Sequence, residues 1–474
     1  MAYNFRPVER DQQYLMPVSL RDWLPADDLA WFVLDAVGEL DLGPIYARYR
    51  ADGWGAPAFE PAMMSALLLY AYASGERSSR RIEARCRRDI AYRIITANQA
   101  PDHATIARFR ADHEAAIRHL FDEILRLCAA AGLGKLGLVA LDGTKVAANA
   151  ALAANRVADA LDAEIDRILA EAAAVDAAED AQFGTDRRGD ELPEALADPR
   201  TRLARLRAAK RQLATADAAR QAAHEEHLAR RAEAEAAAGR GLRGRKPTPP
   251  LPAPRAKVNV SDPESRIMKG RTGYLQGYNA QAVVAADQVV LAADLTHSAA
   301  DTGQLVPMLE TATANVVRAG FRSRIGTALA DAGYWSEAGH RAATGPGRPE
   351  LLVATAKGWK HRRQAQHHPP RGRIPAGLSL TDRMERRLRT KRGQDRYRWR
   401  AAIVEPVFGQ AKEARGFRRF SRRGRAACAA EWQLVCATHN LLKLWRSGRH
   451  QRAAPPAGPR SHPSAGSRSR PRIA

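Results

Sequence analysis

LGLVALDGT (136–144) and IGTALADAG (325–333) are two apolar runs that each close on a carboxylate, Asp142 and Asp331. Short apolar runs bounded by turn residues read as buried strands. Carboxylates at the ends of neighbouring strands face one crevice, the usual ligand position in open α/β sheets. A third acid, Glu405, lies in AIVEPVFGQAK (402–412), which reads as a helix start. Pro406 disfavours helical geometry at the residue before it and suits a first turn. Glu405 is therefore expected at the helix N-terminus, where the dipole favours an ionised carboxylate. Lys412 falls two turns later on the same face, as a phosphate contact or a solvated lysine, and Phe408 is expected to anchor the helix to the sheet. Three such carboxylates suit a hard divalent cation, Mg²⁺ or Mn²⁺. Two ions held this way stabilise the attacking and leaving oxygens of an in-line phosphoryl transfer. Each acid also has an ordinary reading: Asp142-Gly143 as a turn dipeptide, Asp331 as a turn or helix cap, Glu405 as a solvated helix residue.

The surroundings of these runs are α/β. Residues 281–286 and 289–295 are apolar around Asp287-Gln288, a hairpin signal. A helix is expected at 301–318, a strand at 351–356, and helices near 405–414 and 426–446. Residues 1–133 read as helical. Pro61 opens an apolar helix that stops at Ser74-Gly75. An Arg-rich helix covers 78–96, Thr105 can cap a short helix carrying Arg108 and Arg110, and a longer helix covers about 112–131. Short helices around a tight break with exposed Arg suit a helix-turn-helix DNA reader or a plain packing module. Residues 155–245 are Ala-rich with dense Glu and Arg, and read as two long helices in an antiparallel hairpin. A Gly/Pro/Arg linker follows. Its Arg243-Gly244-Arg245-Lys246-Pro247 core resembles a minor-groove arm, though a solvated linker is the simpler reading.

The chain has 474 residues and a formal net charge of +23. The excess is local: 357–425 carries 22 Lys+Arg against 5 Asp+Glu, and 446–474 carries 7 Arg and no acid. A basic stretch of this kind is the footprint of a polyanion partner; a merely basic surface is the alternative. The Arg/Pro/Ser/Gly-rich tail reads as disordered. Four scattered cysteines, Cys86, Cys128, Cys428 and Cys436, form neither a disulfide framework nor a C-x-x-C zinc site. Together with the short apolar stretch 62–73 and the charged first 25 residues, they point to a cytoplasmic protein without a membrane span.

SGERSSRRIE (74–83), PDHATIARFR (101–110), LDGTK (141–145), VNVSDPESRIMK (258–269), GYLQGYNAQAVV (273–284), LADAGYWS (329–336) and VEPVFGQAK (404–412) together resemble the bacterial DDE-type insertion-sequence transposases. The resemblance runs from about residue 5 to 445, interrupted by the Ala-rich insert. It implies an α/β fold: an RNase H-like mixed sheet core, an N-terminal all-helical domain and a long helical insertion. The expected domains are 1–133 for DNA binding, 134–154 with 256–445 for catalysis, 155–255 as insertion and linker, and 446–474 as tail. Asp142, Asp331 and Glu405 match the family's catalytic, metal-binding triad. The implied cofactor is two Mg²⁺ (or Mn²⁺) ions. The implied partners are double-stranded DNA, as element ends and target, and a second copy of the chain in the synaptic complex. The implied activity is cleavage at terminal inverted repeats followed by attack of the freed 3′-OH on target DNA. Lys412, Arg400, Arg108 and Arg110 are the expected DNA contacts. Related transposases often carry Arg four residues before the catalytic Glu; here that position is Ala401, with Arg398 and Arg400 beside it. A DNA-binding repressor derived from a transposase and an RNase H-like nuclease are the competing readings.

Overall fold

Six strands form the main sheet: β1 (Leu138–Ala147), β2 (Arg266–Gly270), β3 (Gly273–Ala285), β4 (Val290–Thr296), β5 (Thr327–Ala330) and β6 (Glu350–Val353). The computed structural model describes residues 19–50, 57–183, 202–241, 256–270, 273–355 and 359–449, with Gly244, Pro247 and Pro249. Arg243, Arg245 and Lys246 of the linker, and the tail from residue 450, lie outside the described residues. The sheet order is β2-β3-β1-β5-β6, with β4 also pairing β3. β1, β3 and β4 pair antiparallel, whereas β5 and β6 extend the sheet in parallel. The apolar run 136–141 forms the buried start of β1, but the strand continues beyond it. Asp142 and Gly143 lie inside the ladder, opposite Ala282 and Gln281, so Asp142-Gly143 is no turn.

The N-terminal region is helical: α1 (Leu29–Gly38), α2 (Pro61–Ala73), α3 (Ser79–Arg88), α4 (Ile90–Ile95), α5 (His103–Asp112) and α6 (Glu114–Ala130). The single helix expected over 78–96 is broken at Asp89, whose carboxylate accepts from Ala91 N at 3.0 Å and starts α4 anew. The cap of α5 is Asp102, which accepts from both the backbone N and the hydroxyl of Thr105. Thr105 is thus the donor to the cap. The insert forms α7 (Ala158–Phe183) and α8 (Arg202–Ala238). Their described contacts run in opposite directions along the two helices, Glu164 with Arg202 and Asp162 with Lys210, around the buried Leu161, Leu206 and Leu213. No helix among the described residues is long and apolar enough to cross a membrane, and all four cysteines are free and buried.

Three further helices complete the core: α9 (Leu305–Arg318), α10 (Trp399–Gly409) and α11 (Arg425–Arg446). α11 packs on α6, α2 and β4, and its polar side chains are matched to sheet backbone. Asn440 donates to Val290 O and accepts from Val290 N, each at 2.8 Å. His439 Nε2 donates to Gln288 O at 2.8 Å, and Trp432 Nε1 donates to Gln281 O at 2.9 Å. Burial removes the solvation that the imidazolium needs, and Arg415 repels it, so the His439 pKa falls to about 3.

SGERSSRRIE joins the helical region to the sheet. Arg77 donates to Arg419 O at 2.8 Å and Gly416 O at 3.0 Å, and pairs with the buried Glu431. Its guanidinium lies 4.9 Å from the Phe417 ring centroid. Arg419 in turn bridges to Ala147, the last residue of β1. Removing one partner of a buried pair leaves an uncompensated charge. Arg77→Ala is therefore expected to cost about 3 kcal/mol, read by chemical unfolding, whereas the exposed Arg80→Ala should cost nothing; equal losses would exclude the clasp. A second expectation follows from His439. The unfolded imidazole titrates near 6.5 and the folded one near 3, so between these values the unfolded state binds more protons. Stability should then fall with falling pH below 6.5, at up to about 1.4 kcal/mol per pH unit. His439→Gln keeps a donor for Gln288 O and should flatten that part of the profile.

Candidate active site

The register of β1 against β5 places two acids together. Leu141 pairs with Ala330 in parallel, so Asp142 and Asp331, the next residue on each chain, start from adjacent positions. β5 ends there, while β1 continues along β3 to Ala147. Asp331 leaves the strand and accepts from Gly333 N at 2.8 Å, capping a short 3-10 turn. The cap and the crevice positions are thus the same residue. Burial pushes the Asp142 carboxyl above the ordinary aspartate value and the negative Asp331 adds to it, while Arg400 and the Gly143 N–H act in the opposite direction.

Glu405 arrives from α10, though not from its start. α10 begins at Trp399 and holds Pro406 internally. Burial of Ile403, Val404, Val407 and Phe408 extends the helix back through Glu405. A proline cannot bond the carbonyl four residues earlier. That carbonyl, Ala402 O, accepts from the Gln288 side chain at 3.3 Å instead. Phe408 stacks on Trp432 of α11 with centroids 6.2 Å apart. Arg400 Nη1 lies 2.9 Å from Asp142 Oδ2 and Nη2 lies 3.6 Å from Glu405 Oε1. One guanidinium therefore spans two of the three acids. The neighbouring Arg398 lies over the Trp399 ring. The Glu405 side chain is 62% exposed and that of Asp142 19%. Among the described residues no group of three His, Cys, Asp or Glu side chains is drawn close enough to hold one metal ion. Asp142 and Glu405 flank the Arg400 cation, and the three acids do not close on a common point.

A fourth carboxylate, absent from the sequence reading, shares the crevice. Asp301 Oδ1 accepts from Asn279 Nδ2 at 2.7 Å and Gln281 Nε2 at 2.8 Å, and lies 3.8 Å from Lys145 Nζ. It heads the 3-10 turn before α9, where an acid is the ordinary helix-start residue, so its signal in the sequence is that of a cap. Burial lowers the Lys145 pKa, while Asp301, Asp142 and Asp331 each draw it back up. The Tyr334 hydroxyl donates to Gln281 Oε1, and burial with the surrounding acids raises its pKa. Lys412 donates to Thr144 Oγ1 at 2.5 Å and Lys145 O at 2.9 Å, so it pins the turn after α10 to β1. Burial lowers its pKa too.

The two arginines of α5 part company. Arg108 faces solvent. Arg110 is turned inward, donating to Tyr72 OH at 3.1 Å, Arg77 O at 2.9 Å and the Ser79 hydroxyl. A DNA contact at Arg110 conflicts with this burial; its guanidinium instead supports the Arg77 clasp from within.

Residues 18–112 match the family described as Transposase domain (DUF772), and residues 363–445 match the family described as Transposase DDE domain. The second span contains Arg400, Glu405 and Lys412; Asp142 and Asp331 lie between the two spans. No curated protein and no solved structure matches the chain.

Gly143 sets the clearance of the crevice. A Cβ there would meet Asn279 Oδ1 and Asp301 Oδ1, each at 2.8 Å, and would clash with the Gln281 amide. Gly143→Ala is expected to cost about 1–3 kcal/mol by overpacking. Gly137→Ala, with open space around it, should leave stability nearly unchanged; an equal tolerance at both positions would show that the crevice walls yield.

Proposed function

Two matched domains make this chain a member of the bacterial DDE-type insertion-sequence transposases, and from that premise we propose that it cuts DNA at the terminal inverted repeats of its own element and joins the freed ends to target DNA. The observation that carries this reading is the start of Asp142 and Asp331 from adjacent strand positions, with Arg400 spanning Asp142 and Glu405. The mixed sheet, four antiparallel strands extended by two parallel ones, supports an RNase H-like core formed by 134–154 and 256–445. In this reading 1–133 recognises DNA, 155–255 is an accessory insertion and 446–474 adds unspecific affinity.

The donor set suits two Mg²⁺ or Mn²⁺ ions: it is all carboxylate oxygen, and a bound cation would offset the burial that raises the Asp142 pKa. Asp142, Asp331 and Glu405 would hold them. When bound, such ions supply charge stabilisation to the attacking and leaving oxygens of an in-line displacement. The chain's own residues do the rest. Arg400, now paired with Asp142 and Glu405, is placed to turn onto a phosphate oxygen; a planar fork matches phosphate bidentately. Lys412 and Lys145 bring ammonium groups to the same wall. Arg108 on the exposed side of α5 contacts DNA bound by the helical region. Phosphate contacts of this kind give affinity that falls with salt, and base contacts give end recognition. Joining two ends in one event calls for at least two copies of the chain.

Asp142→Asn, Asp331→Asn and Glu405→Gln are each expected to reduce Mg²⁺-dependent nicking of a terminal repeat to background while DNA retardation persists. Arg400→Ala should lower nicking by about a hundredfold. A wild-type protein that retards the repeat yet leaves it whole is the repressor. One that cuts without preference for the repeat and yields no joined product is a nuclease. Either outcome excludes the transposase activity.

A further inference from the structure

β3 is 13 residues long, and only its part from Gly277 onward pairs with β1, whose last partner is Ala147. Gln276 O still accepts from Ala148 N at 2.8 Å, and residues 273–275 run on past β1 to pair with β2 alone. The result is a two-stranded ribbon projecting from the catalytic sheet. Side chains alternate faces along a strand. One ribbon face carries the buried Met268. The other carries Ile267, Lys269 and Tyr274, with Lys269 directly across from Tyr274. Tyr274 is 68% exposed and Ile267 43%, so a large aromatic ring stands in water with a cation beside it.

At the foot of the ribbon, between β2 and α8, lies a cavity of 340 Å³ lined by Arg220, Lys257, Arg266 and Gln212, with aliphatic residues behind them. No acid lines it. Arg220 pairs with Asp217 at 2.9 Å; among the described residues neither Lys257 nor Arg266 has a carboxylate within ion-pairing distance. Arg266 donates to the carbonyls of Pro263 and Ser265 and feels the nearby Glu264 and Asp262, so the exposed Lys257 is the cation left to meet an incoming anion.

We propose that the exposed face of this ribbon, with Lys257 at its foot, forms a second DNA-holding surface, separate from the carboxylate crevice. The inference rests on the reading that the crevice cuts DNA. The occupant is duplex DNA, argued from the chemistry of the surface. A two-stranded ribbon fits the major groove, cations beside it meet phosphates, and an exposed ring offers a face to bases. The spacing ties both surfaces to one substrate. Arg266 shares its register with Ala147, five residues from Asp142, and Tyr274 lies three residues further out. At about 3.3 Å per residue these are roughly 17 and 27 Å from the crevice. At about 3.4 Å per base pair that is five to eight base pairs from the bond being cut.

The test uses the full chain with Lys257→Gln, Lys269→Gln and Tyr274→Ser combined, all at exposed positions. Affinity for a terminal-repeat duplex is measured against salt, with hydroxyl-radical footprinting of the same complexes and cutting scored for the parent protein. The expected result is affinity about tenfold weaker, a salt slope shallower by about two, and loss of protection five to eight base pairs from the cut. A parent that cuts while the variant keeps its slope and footprint overturns the ribbon and leaves the transposase reading intact. A variant that loses self-association with unchanged DNA protection also overturns it, because the face would then join two copies of the chain. Absence of DNA binding and cutting by the parent overturns both.

Discussion

β1 carries two hydrogen-bond ladders of unequal length, and the crevice exists because one stops before the other. On one side β3 follows β1 from Val139 to Ala147; on the other, β5 leaves after Leu141. The departure frees the space beside Asp142 and delivers Asp331 into it. A longer β5 would fill the gap with ladder, and a shorter β3 would leave Asp142 on a loop without a fixed direction. Every other group of the site is placed by reference to this step: Asp301 over Gly143, Lys145 beyond it, and α10 laid across β1 with Arg400 reaching in.

The charge pattern explains why so many cations attend the acids. Four carboxylates in one partly buried crevice repel each other, and burial weakens the solvation that normally offsets this. Arg400 and Lys145 answer Asp142 and Asp301 in the protein itself. Arg400 and Lys145 thus stand between acids that would otherwise face one another.

Much of this was legible in the sequence, and the exceptions have physical causes. The strands around Asp142 and Asp331 and the helix Pro61–Ala73 announce themselves through apolar runs with clear breakers. Glu405 was readable as a residue but not as a position. The rule for the residue before proline points to a helix start, whereas burial of Ile403 and Val404 and the capture of Ala402 O by Gln288, more than a hundred residues away, override it. Arg110 looked like its neighbour Arg108, because local spacing does not show that Tyr72, Ser79 and Arg77 O surround it. Asp301 resembled an ordinary helix cap; its partners Asn279 and Gln281 come from a different strand. In each case the decisive information was a long-range contact.

The Arg77 clasp ends on the carbonyls of Gly416 and Arg419, and Arg419 adjoins Ala147. The helical region is thus spliced mechanically to the far end of the same strand that bears Asp142. Ala147 and Asp142 lie five residues apart on one strand, so the helical region and the carboxylates are positioned by the same stretch of β-backbone.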